Sequence, residues 1–463
     1  MDSRQFLTQS PVSVGFISLG CAKNLVDSQI MAGVLVKEGM RLAASPEEAD
    51  VVLVNTCAFI EEAREESLDA IRAACRLKTD GTCRAILVAG CYPQRYRDRL
   101  REQLPDVDAF IGVDELERVG AVVRDLIAGA RGGIEVSATP GRLFEPPVPG
   151  LVFSNGCYAY LKIAEGCNHP CAFCAIPAIR GNYRSRSIER VVREAEQLLG
   201  EGFRELDLIS QDVTAYGHDR RDGTDLPALL RALGRIGGRF WIRLLYGYPS
   251  GVTDRLIAAI AEVPQVCRYL DVPVQHSHPE MLRAMRRAGT ADTVRDLAVR
   301  WRRLVPGLVL RTTCLVGFPG ETDGHFDHLL NYVREAEFDH LGVFVFSPEE
   351  GTTAFDMASR PPQETAERRR ERLLLAQKEI VDRKLAALVG SEGEVILDRR
   401  GPESGARRWL ARSARQAPEV DGVVRVRSAP DAARAGDFVR VRYTSALDYD
   451  MNAAAVKPEK SGA

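Results

Sequence analysis

The sequence predicts a multidomain α/β protein in which two units of parallel β-α repeats are followed by a small all-β barrel. Strand-like apolar runs alternate with amphipathic helical stretches in the first part of the chain, and the alternation returns after a segment rich in Gly and Pro. Short β runs broken by Gly, Pro and Asp come last. We therefore expect a first domain at 1–135, a linker at 136–153, a second domain at 154–389 and a third at 390–463.

The first domain is expected to be an open parallel α/β sheet of the Rossmann-like kind. Its strand-like runs, each followed by a helical stretch, are Val12–Ser18, Asp50–Val54, Ala85–Ala89 and Asp108–Ile111. A helix between two strands favours a parallel pair, because the helix returns the chain to the end of the sheet where the first strand began. These runs therefore predict one parallel sheet.

Three of these runs lead into a cysteine, and we call Cys21, Cys57 and Cys91 the strand-end cysteines. The carboxyl ends of parallel strands meet at one edge of a sheet, where ligands bind. Three strands can thus deliver three thiolates to one iron–sulfur cluster. The alternative is that each is a small buried residue in a tight turn, as free cysteines often are. We favour a cluster and assign no such role to Cys75 or Cys83.

The second domain is expected to be a partial β/α barrel of six units, a TIM-like (β/α)6 fold. Its strand-like runs are Tyr158–Ala164, Glu205–Ser210, Phe240–Leu245, Tyr269–Val274, Val309–Val316 and Leu341–Phe346. Such barrels carry their chemistry on loops at the carboxyl ends of the strands. Gln211, Gln275, Gly317 and Gly320 lie on such loops, where polar groups and glycines suit a ligand. A turn or a helix cap explains any one of them equally well.

The loop after the first of these strands carries Cys167, Cys171 and Cys174 at C-x3-C-x2-C spacing, and we call them the loop cysteines. Thiolates in a short loop suit an iron–sulfur cluster or zinc. Three cysteines leave one iron of a four-iron cluster open to a small molecule, whereas zinc requires a fourth ligand, for which His169 and Cys157 are the local candidates. His169 is followed by proline and Cys157 lies a whole strand away, so we favour iron–sulfur.

Composition excludes several classes of protein. The chain has 62 basic and 64 acidic residues, which argues against a protein that coats nucleic acid. A local basic patch on the surface is compatible with this balance. We expect a cytoplasmic location because no signal peptide opens the chain and no apolar run reaches ~18 residues. In that reducing environment its 11 cysteines are expected to bind metal rather than to form disulfides. The basic amphipathic stretch at 360–389 suits a nucleic acid or membrane surface, but we favour a connecting helix packed on the barrel.

Local sequence resembles the radical S-adenosylmethionine (SAM) superfamily and, within it, the methylthiotransferase family, over nearly the whole chain. The loop cysteines, with Phe173 just before the last, resemble the superfamily signature, and the three-part layout resembles the family, whose terminal OB-like barrel is called TRAM. Further runs resemble the branch that acts on a ribosomal protein; they are Ser18–Ser28, Lys162–Cys167, Ala175–Pro177, Gln211–Gly217 and Ser347–Thr352. Ala22 and Gln29 differ from the residues that are usual in the family, but neither is a proposed cluster ligand.

The resemblance implies a transferase that adds a methylthio group to the β-carbon of an aspartate in small-subunit ribosomal protein S-twelve. It implies two 4Fe–4S clusters and two equivalents of SAM per turnover. The cluster on the loop cysteines would cleave SAM to a 5'-deoxyadenosyl radical, so these cysteines act in catalysis through the metal. The cluster on the strand-end cysteines would deliver the methylated sulfur.

The resemblance also implies roles for other residues and partners. Phe173 is expected to pack on adenine, and Gln211, Gln275, Gly317 and Gly320 to line the SAM pocket. The implied partners are the S-twelve protein, or the ribosomal particle that carries it, and an electron donor, with no membrane. The near-neutral charge makes the alternative substrate of the family, a modified adenosine beside the tRNA anticodon, less favoured. A non-catalytic zinc or iron–sulfur RNA-binding module is the remaining alternative.

One basic run follows the loop cysteines and contains Arg180, Arg184 and Arg186. Arginine forks bind carboxylates in a bidentate fashion, so we expect these side chains to meet a carboxylate of SAM or of the substrate aspartate. A solvated loop face is the alternative.

Overall fold

The computed structural model describes residues 11–146, 148, 151–287, 291–401 and 408–456. These residues divide into two compact units. The first unit runs up to Phe153 and also contains Gly166–Asn168 and Ala175–Asn182, while the second contains Ser154–Glu165, His169–Cys174 and the chain from Tyr183 onward. The division passes through the loop that carries the loop cysteines. The domain boundaries at 135, 153 and 389 stay predictions.

The first unit contains a six-stranded parallel sheet with helices between its strands. The strands are β1 (Ser13–Ser18), β2 (Arg41–Leu42), β3 (Val51–Thr56), β4 (Ala85–Gly90), β5 (Ala109–Ile111) and β6 (Gly133–Glu135). The helices are α1 (Ala22–Lys37), α2 (Glu61–Asp80), α3 (Cys91–Tyr96), α4 (Leu100–Gln103), α5 (Val119–Ile127) and α6 (Ile176–Arg180). The strand order β2-β1-β3-β4-β5-β6 confirms the predicted parallel fold.

The centre of this sheet is buried on both faces. Every residue of β3 and β4 is buried, as expected for central strands of a parallel sheet that helices cover. Ile179 of α6 packs into the same core as Val54 and Val88. Because β1, β3 and β4 are parallel neighbours, their carboxyl ends lie side by side at one edge of the sheet.

The second unit contains a six-stranded parallel sheet, a closed five-stranded barrel and a short antiparallel pair of two strands. The strands are β7 (Tyr158–Lys162), β8 (Ala164–Glu165), β9 (Arg184–Ser185), β10 (Glu205–Ile209), β11 (Trp241–Leu244), β12 (Val266–Asp271), β13 (Val309–Val316), β14 (His340–Val345), β15 (Glu392–Arg400), β16 (Trp409–Ser413), β17 (Val424–Arg427), β18 (Phe438–Leu447) and β19 (Asp450–Ala455). The helices are α7 (Ile188–Gly200), α8 (Leu226–Leu233), α9 (Asp254–Glu262), α10 (Pro279–Ala284), α11 (Ala291–Leu304), α12 (Asp323–Ala336) and α13 (Gln363–Leu388).

The larger sheet of this unit confirms the predicted partial barrel. Its order, β14-β13-β12-β11-β10-β7, follows the chain from one neighbour to the next, and all of its pairs are parallel. The terminal barrel is closed by β19, which pairs with both β17 and β18. Helix α13 buries Leu373, Ala376 and Ile380, which supports the connecting-helix interpretation. Among the described residues, no helix has the length and apolar character needed to cross a bilayer.

A buried ion network joins the terminal barrel to the parallel sheet within the second unit. Arg412 of β16 donates to Glu205 Oε2 at 2.5 Å and to the two carboxylate oxygens of Asp398 at 2.8 and 2.9 Å. Glu205 also accepts from Arg243 Nε at 2.7 Å. Burial, together with the charge of Glu205, raises the pKa of Asp207 well above its usual range. The guanidinium groups of Arg412 and Arg243 thus face the carboxylates of Glu205 and Asp398.

We expect Arg412→Ala to lower the free energy of unfolding by ~3–5 kcal/mol, because it leaves Asp398 without its arginine and leaves the buried Glu205 with Arg243 alone. Thermal and urea unfolding of the variant would measure this. The matched control is Arg425→Ala, which breaks an exposed pair with Asp450 and should cost less than ~1 kcal/mol. Equal losses in the two variants would contradict the assignment.

Candidate functional site

The strand-end cysteines occupy equivalent places in the first unit. Cys21 lies three residues beyond the end of β1 and immediately before α1, Cys57 directly follows β3, and Cys91 directly follows β4 as the first residue of α3. All three are free thiols; Cys21 is exposed, whereas Cys57 and Cys91 are buried. The structure thus brings these predicted residues together at one edge of the sheet, next to the convergent ends of neighbouring strands.

Two glycines allow the thiols to approach one another. Gly20 adopts φ of +88°, and a Cβ at this position would lie 3.2 Å from Cys57 Sγ. Gly90 adopts φ of +95°, and a Cβ there would lie 2.3 Å from Asn55 Oδ1. A side chain at either position would be strained and would push into the site. The backbone before Cys21 and before Cys91 therefore requires glycine for close approach.

A buried polar network surrounds the thiols. Asn24 Nδ2 donates to Leu19 O at 3.1 Å and to Thr56 O at 2.8 Å, which ties the ends of β1 and β3 together. Asn24 Oδ1 accepts from Arg180 at 2.5 Å and is 3.5 Å from Cys91 Sγ. These contacts fix the amide orientation, because the nitrogen is committed to two carbonyl groups.

Burial controls the protonation of the strand-end thiols. It raises the pKa of Cys57, and it raises the pKa of Cys91 to about 12. Arg180 lowers the pKa of Cys91, whereas the charges of Cys57 and Cys21 raise it, so all three of these groups lie close enough to act on Cys91. Without metal the buried thiols are neutral, and a bound metal would displace their protons. This donor set fits the soft metal centre that the sequence predicts.

The loop cysteines are held by backbone hydrogen bonds. In the first unit, the Cys167 N–H donates to Gly181 O at 3.1 Å, and Cys167 is buried. In the second unit, the Cys174 N–H donates to Cys171 O at 3.2 Å, which closes a turn. Ala172 between them donates its N–H to Met285 O at 3.0 Å and accepts at its carbonyl from Ala354 N–H at 2.8 Å. The turn is therefore anchored to two other segments of the second unit.

Arg287 contacts this turn through a sulfur atom. It donates from one guanidinium nitrogen to Cys171 Sγ at 3.3 Å and from another to Pro273 O at 2.7 Å. The guanidinium carbon lies 4.3 Å from the centroid of the Tyr248 ring. His169 stacks on the same tyrosine, with ring centroids 3.7 Å apart, and its Nε2 is 2.6 Å from Asp212 Oδ2.

These contacts bear on the zinc alternative. The Asp212 carboxylate and the Tyr248 ring engage His169, and Cys157 Sγ donates to Leu397 O at 3.4 Å, in the terminal barrel. Both local candidates for a fourth zinc ligand thus have other partners. This supports an iron–sulfur cluster on the loop cysteines rather than closed tetrahedral zinc.

Comparison with known proteins places the chain in a family. Residues 13–112 match an uncharacterized protein family, UPF0004; residues 161–333 match the radical SAM superfamily; and residues 389–456 match the TRAM domain. The "Ribosomal protein uS12 methylthiotransferase RimO" of Trichlorobacter lovleyi is 43% identical, with 96% of this chain and 98% of that protein covered. The protein of the same name from Symbiobacterium thermophilum is 44% identical, with 97% and 92% covered.

The chain belongs to the RimO family. It is accordingly a radical SAM methylthiotransferase, which confirms the predicted enzyme class and the three-part layout with a TRAM barrel. The tRNA-directed branch is not favoured, because the relatives named above carry the ribosomal-protein name.

Solved structures share the fold with this RimO-family chain. The radical SAM methyltransferase TsrM from Kitasatospora setae, with cobalamin and a [4Fe-4S] cluster bound, superposes with a TM-score of 0.55 at 15% identity, covering 75% of this chain and 74% of that one. The cobalamin-dependent SAM radical enzyme OxsB gives a TM-score of 0.51 at 12% identity, with 81% and 56% covered. Identities this low establish a common fold only.

Three of the five residues predicted to line the SAM pocket of this RimO-family chain lie around the carboxyl end of β13. Phe173 packs against an apolar cluster that includes Leu315, at the end of β13, and Phe318, just beyond that end. Gln275 adopts φ of +68° and donates its N–H to Thr313 O at 2.8 Å, beside the end of β13. Gly317 lies at that same end. Phe173, Gln275 and Gly317 are thus near neighbours of one strand end.

Gln211 and Gly320, the other two predicted residues, lie in different surroundings. Gln211 donates from Nε2 to Glu165 Oε1 at 2.6 Å, so its amide already has a partner within the protein. A Cβ on Gly320 would meet open space, whereas a Cβ on Gly317 would lie 2.6 Å from Ala366 Cβ, so that packing against α13 alone explains the glycine at 317. Ligand binding by all five residues stays a prediction.

The sequence did not indicate which groups the arginines after the loop cysteines contact in this RimO-family chain. Arg180 was expected to meet a carboxylate of SAM or substrate, but it is buried beside Asp27 and Cys91. Arg186 is likewise buried, against Glu194 and the Lys162 carbonyl. The contact between Arg180 and Cys91 joins positions 89 residues apart, so no local pattern indicates it.

The remaining cysteines are those without a predicted role. Cys75 and Cys83 pack in or against the core of the first unit. Burial raises the pKa of Cys267 and of Cys314 to about 12. These thiols are neutral and behave as small apolar residues.

Proposed function

We propose that the protein adds a methylthio group to the β-carbon of an aspartate in ribosomal protein uS12. The observation that carries the proposal is near-full-length similarity to relatives named for that reaction, together with two separate sets of three cysteines. The β-carbon of an aspartate bears no proton that is acidic at neutral pH, so a general base is poorly matched to the task. Radical chemistry avoids this difficulty.

The strand-end cysteines and the loop cysteines would each hold a 4Fe–4S cluster. When bound, the two clusters and SAM supply the carbon-centred radical and the methylated sulfur. The strand-end set is supported by the convergence of three strand ends, the close approach at Gly20 and the buried donor Arg180. The loop set is supported by its spacing, its anchored turn and the donor Arg287.

The protein's own residues would position these groups. Asn24 and Arg180 hold the strand ends and contact Cys91, while Arg287 contacts Cys171. Asp212 and Tyr248 hold His169 and, with it, the middle of the cysteine loop. Phe173, Gln275 and Gly317, which surround one strand end, are proposed to contact SAM, with Gln211 and Gly320 beside them.

The remaining partners follow from the proposed substrate. The protein would meet uS12 alone or on the ribosomal particle, and it needs an external electron donor. A cytoplasmic location belongs to this proposal, since ribosomal proteins are made and assembled there.

Mass spectrometry of uS12 from cells with and without the gene tests the proposal. We expect the aspartyl peptide to carry the added mass of one methylthio group only when the protein is present. A plasmid copy lacking the loop cysteines is the control and should not restore the modification. An unmodified uS12 in both strains, together with a change in methylthiolated tRNA, would instead establish the tRNA alternative.

A further inference from the structure

We propose that Arg180 is a positioning residue that raises the electron affinity of the cluster held by the strand-end cysteines. The inference rests on the proposed second cluster and adds to it a specific donor, which the family likeness does not identify. Arg180 follows Cys174 in the same short segment of the chain. That segment would thus supply ligands to one cluster and a hydrogen-bond donor to the other.

The contact itself is direct. An Arg180 guanidinium nitrogen donates to Cys91 Sγ at 3.3 Å, and the same nitrogen lies 2.5 Å from Asn24 Oδ1. A second guanidinium nitrogen donates to Asp27 Oδ2 at 2.7 Å. The planar fork therefore serves three acceptors at once, which a lysine ammonium cannot reproduce in the same geometry.

The surroundings keep this guanidinium in place. The Arg180 side chain is 3% exposed and that of Asp27 is 1% exposed. Asn24 is itself held by the carbonyls of Leu19 and Thr56, so the acceptor that faces Arg180 has a fixed orientation. A charge pair buried this deeply needs full hydrogen bonding to be tolerated, and the network provides it.

The physical consequence concerns the sulfur that would bind iron. Hydrogen bonds to ligand sulfurs and nearby positive charge help to set the reduction potential of an iron–sulfur cluster. A donor and a cation at Cys91 Sγ stabilise the more negative, reduced state more than the oxidised state. Removing them should make the reduction potential more negative.

The test uses the full-length chain in a C167A/C171A/C174A background, in which iron can bind only at the strand-end cysteines. After anaerobic reconstitution, a redox titration followed by electron paramagnetic resonance gives the midpoint potential. We expect R180Q/D27N, which removes both buried charges together, to lower electron affinity by about tenfold, a shift of about 59 mV to more negative potential for one electron. D27N alone keeps Arg180 and should not shift the potential in that direction.

Two further variants keep the result interpretable. R72Q removes an exposed arginine of the same unit, paired at the surface with Asp69, and should match the background. R180K preserves the charge but not the fork, and it replaces the double variant if that variant fails to fold, which circular dichroism would detect. We expect R180K to shift the potential in the same direction by a smaller amount.

The outcomes separate the inference from the proposed function. If the background protein binds no iron, the strand-end cluster and the role of Arg180 are both wrong. If it binds iron and the potential of R180Q/D27N, or of R180K in its place, equals that of the background, Arg180 is a structural residue only. A negative shift with normal iron content, absent from R72Q, supports the inference.

Discussion

Replacing Cys167, Cys171 and Cys174 together with alanine is expected to abolish reductive cleavage of SAM. Thiolates are required to hold the cluster, so the variant should lose about half of the iron of the reconstituted protein. Chromatography would measure 5'-deoxyadenosine after incubation with SAM and dithionite, and a colorimetric assay would measure iron. The loss of product should be complete, since no other set of cysteines in the chain has this spacing.

The matched control for this variant is Cys75→Ala, which removes a half-buried cysteine with no proposed ligand role. It should keep both full iron content and product formation. Continued formation of 5'-deoxyadenosine by the triple variant would mean that the loop cysteines do not hold the catalytic cluster.

Replacing Cys21, Cys57 and Cys91 together should give the complementary result. We expect about half of the iron to be lost and methylthiolation of uS12 to cease, while cleavage of SAM continues at the loop cysteines. The fold should survive, because burial raises the pKa of Cys57 and Cys91, so that alanine replaces neutral thiols rather than buried charges. Iron analysis and the same product assay would measure both effects.

Cys83→Ala is the control here, since Cys83 is also buried in the first unit but lies just before the amino end of β4, away from the carboxyl ends of the strands. It should leave the iron content unchanged. A triple variant with unchanged iron would refute the second cluster, whatever its effect on activity.

The candidate site was predictable where local sequence carries the chemistry. A cysteine directly after a buried apolar strand identifies both the strand and its carboxyl end, so the convergence of Cys21, Cys57 and Cys91 follows from the parallel order of the sheet. Barrel strands such as Val309–Val316 were likewise predicted with their observed bounds, because long apolar runs leave little choice of conformation.

Features that depend on distant contacts were not predictable. Strand β19, with the sequence Asp-Met-Asn-Ala-Ala-Ala, lacks β-branched residues, and it is a strand because closure of the barrel pairs it with β17 and β18. Local sequence places Arg180 in a basic loop but does not indicate its acceptors, because Asp27 and Cys91 lie 153 and 89 residues away along the chain. Short edge strands such as β2 leave too few residues for a period to be recognised.

The ion network between Arg412 and Glu205 limits how freely this barrel can be exchanged for one from another protein. Glu205 is the first residue of a strand in the parallel sheet, yet one of its partners comes from the terminal barrel, and Tyr269 and Arg311 likewise bond to Asp421. A TRAM barrel transplanted from another protein would leave Glu205 with one arginine instead of two and would remove the carboxylate that Tyr269 and Arg311 bond to. A chimaera that keeps this stability must therefore carry both the barrel and the sheet residues that bond to it.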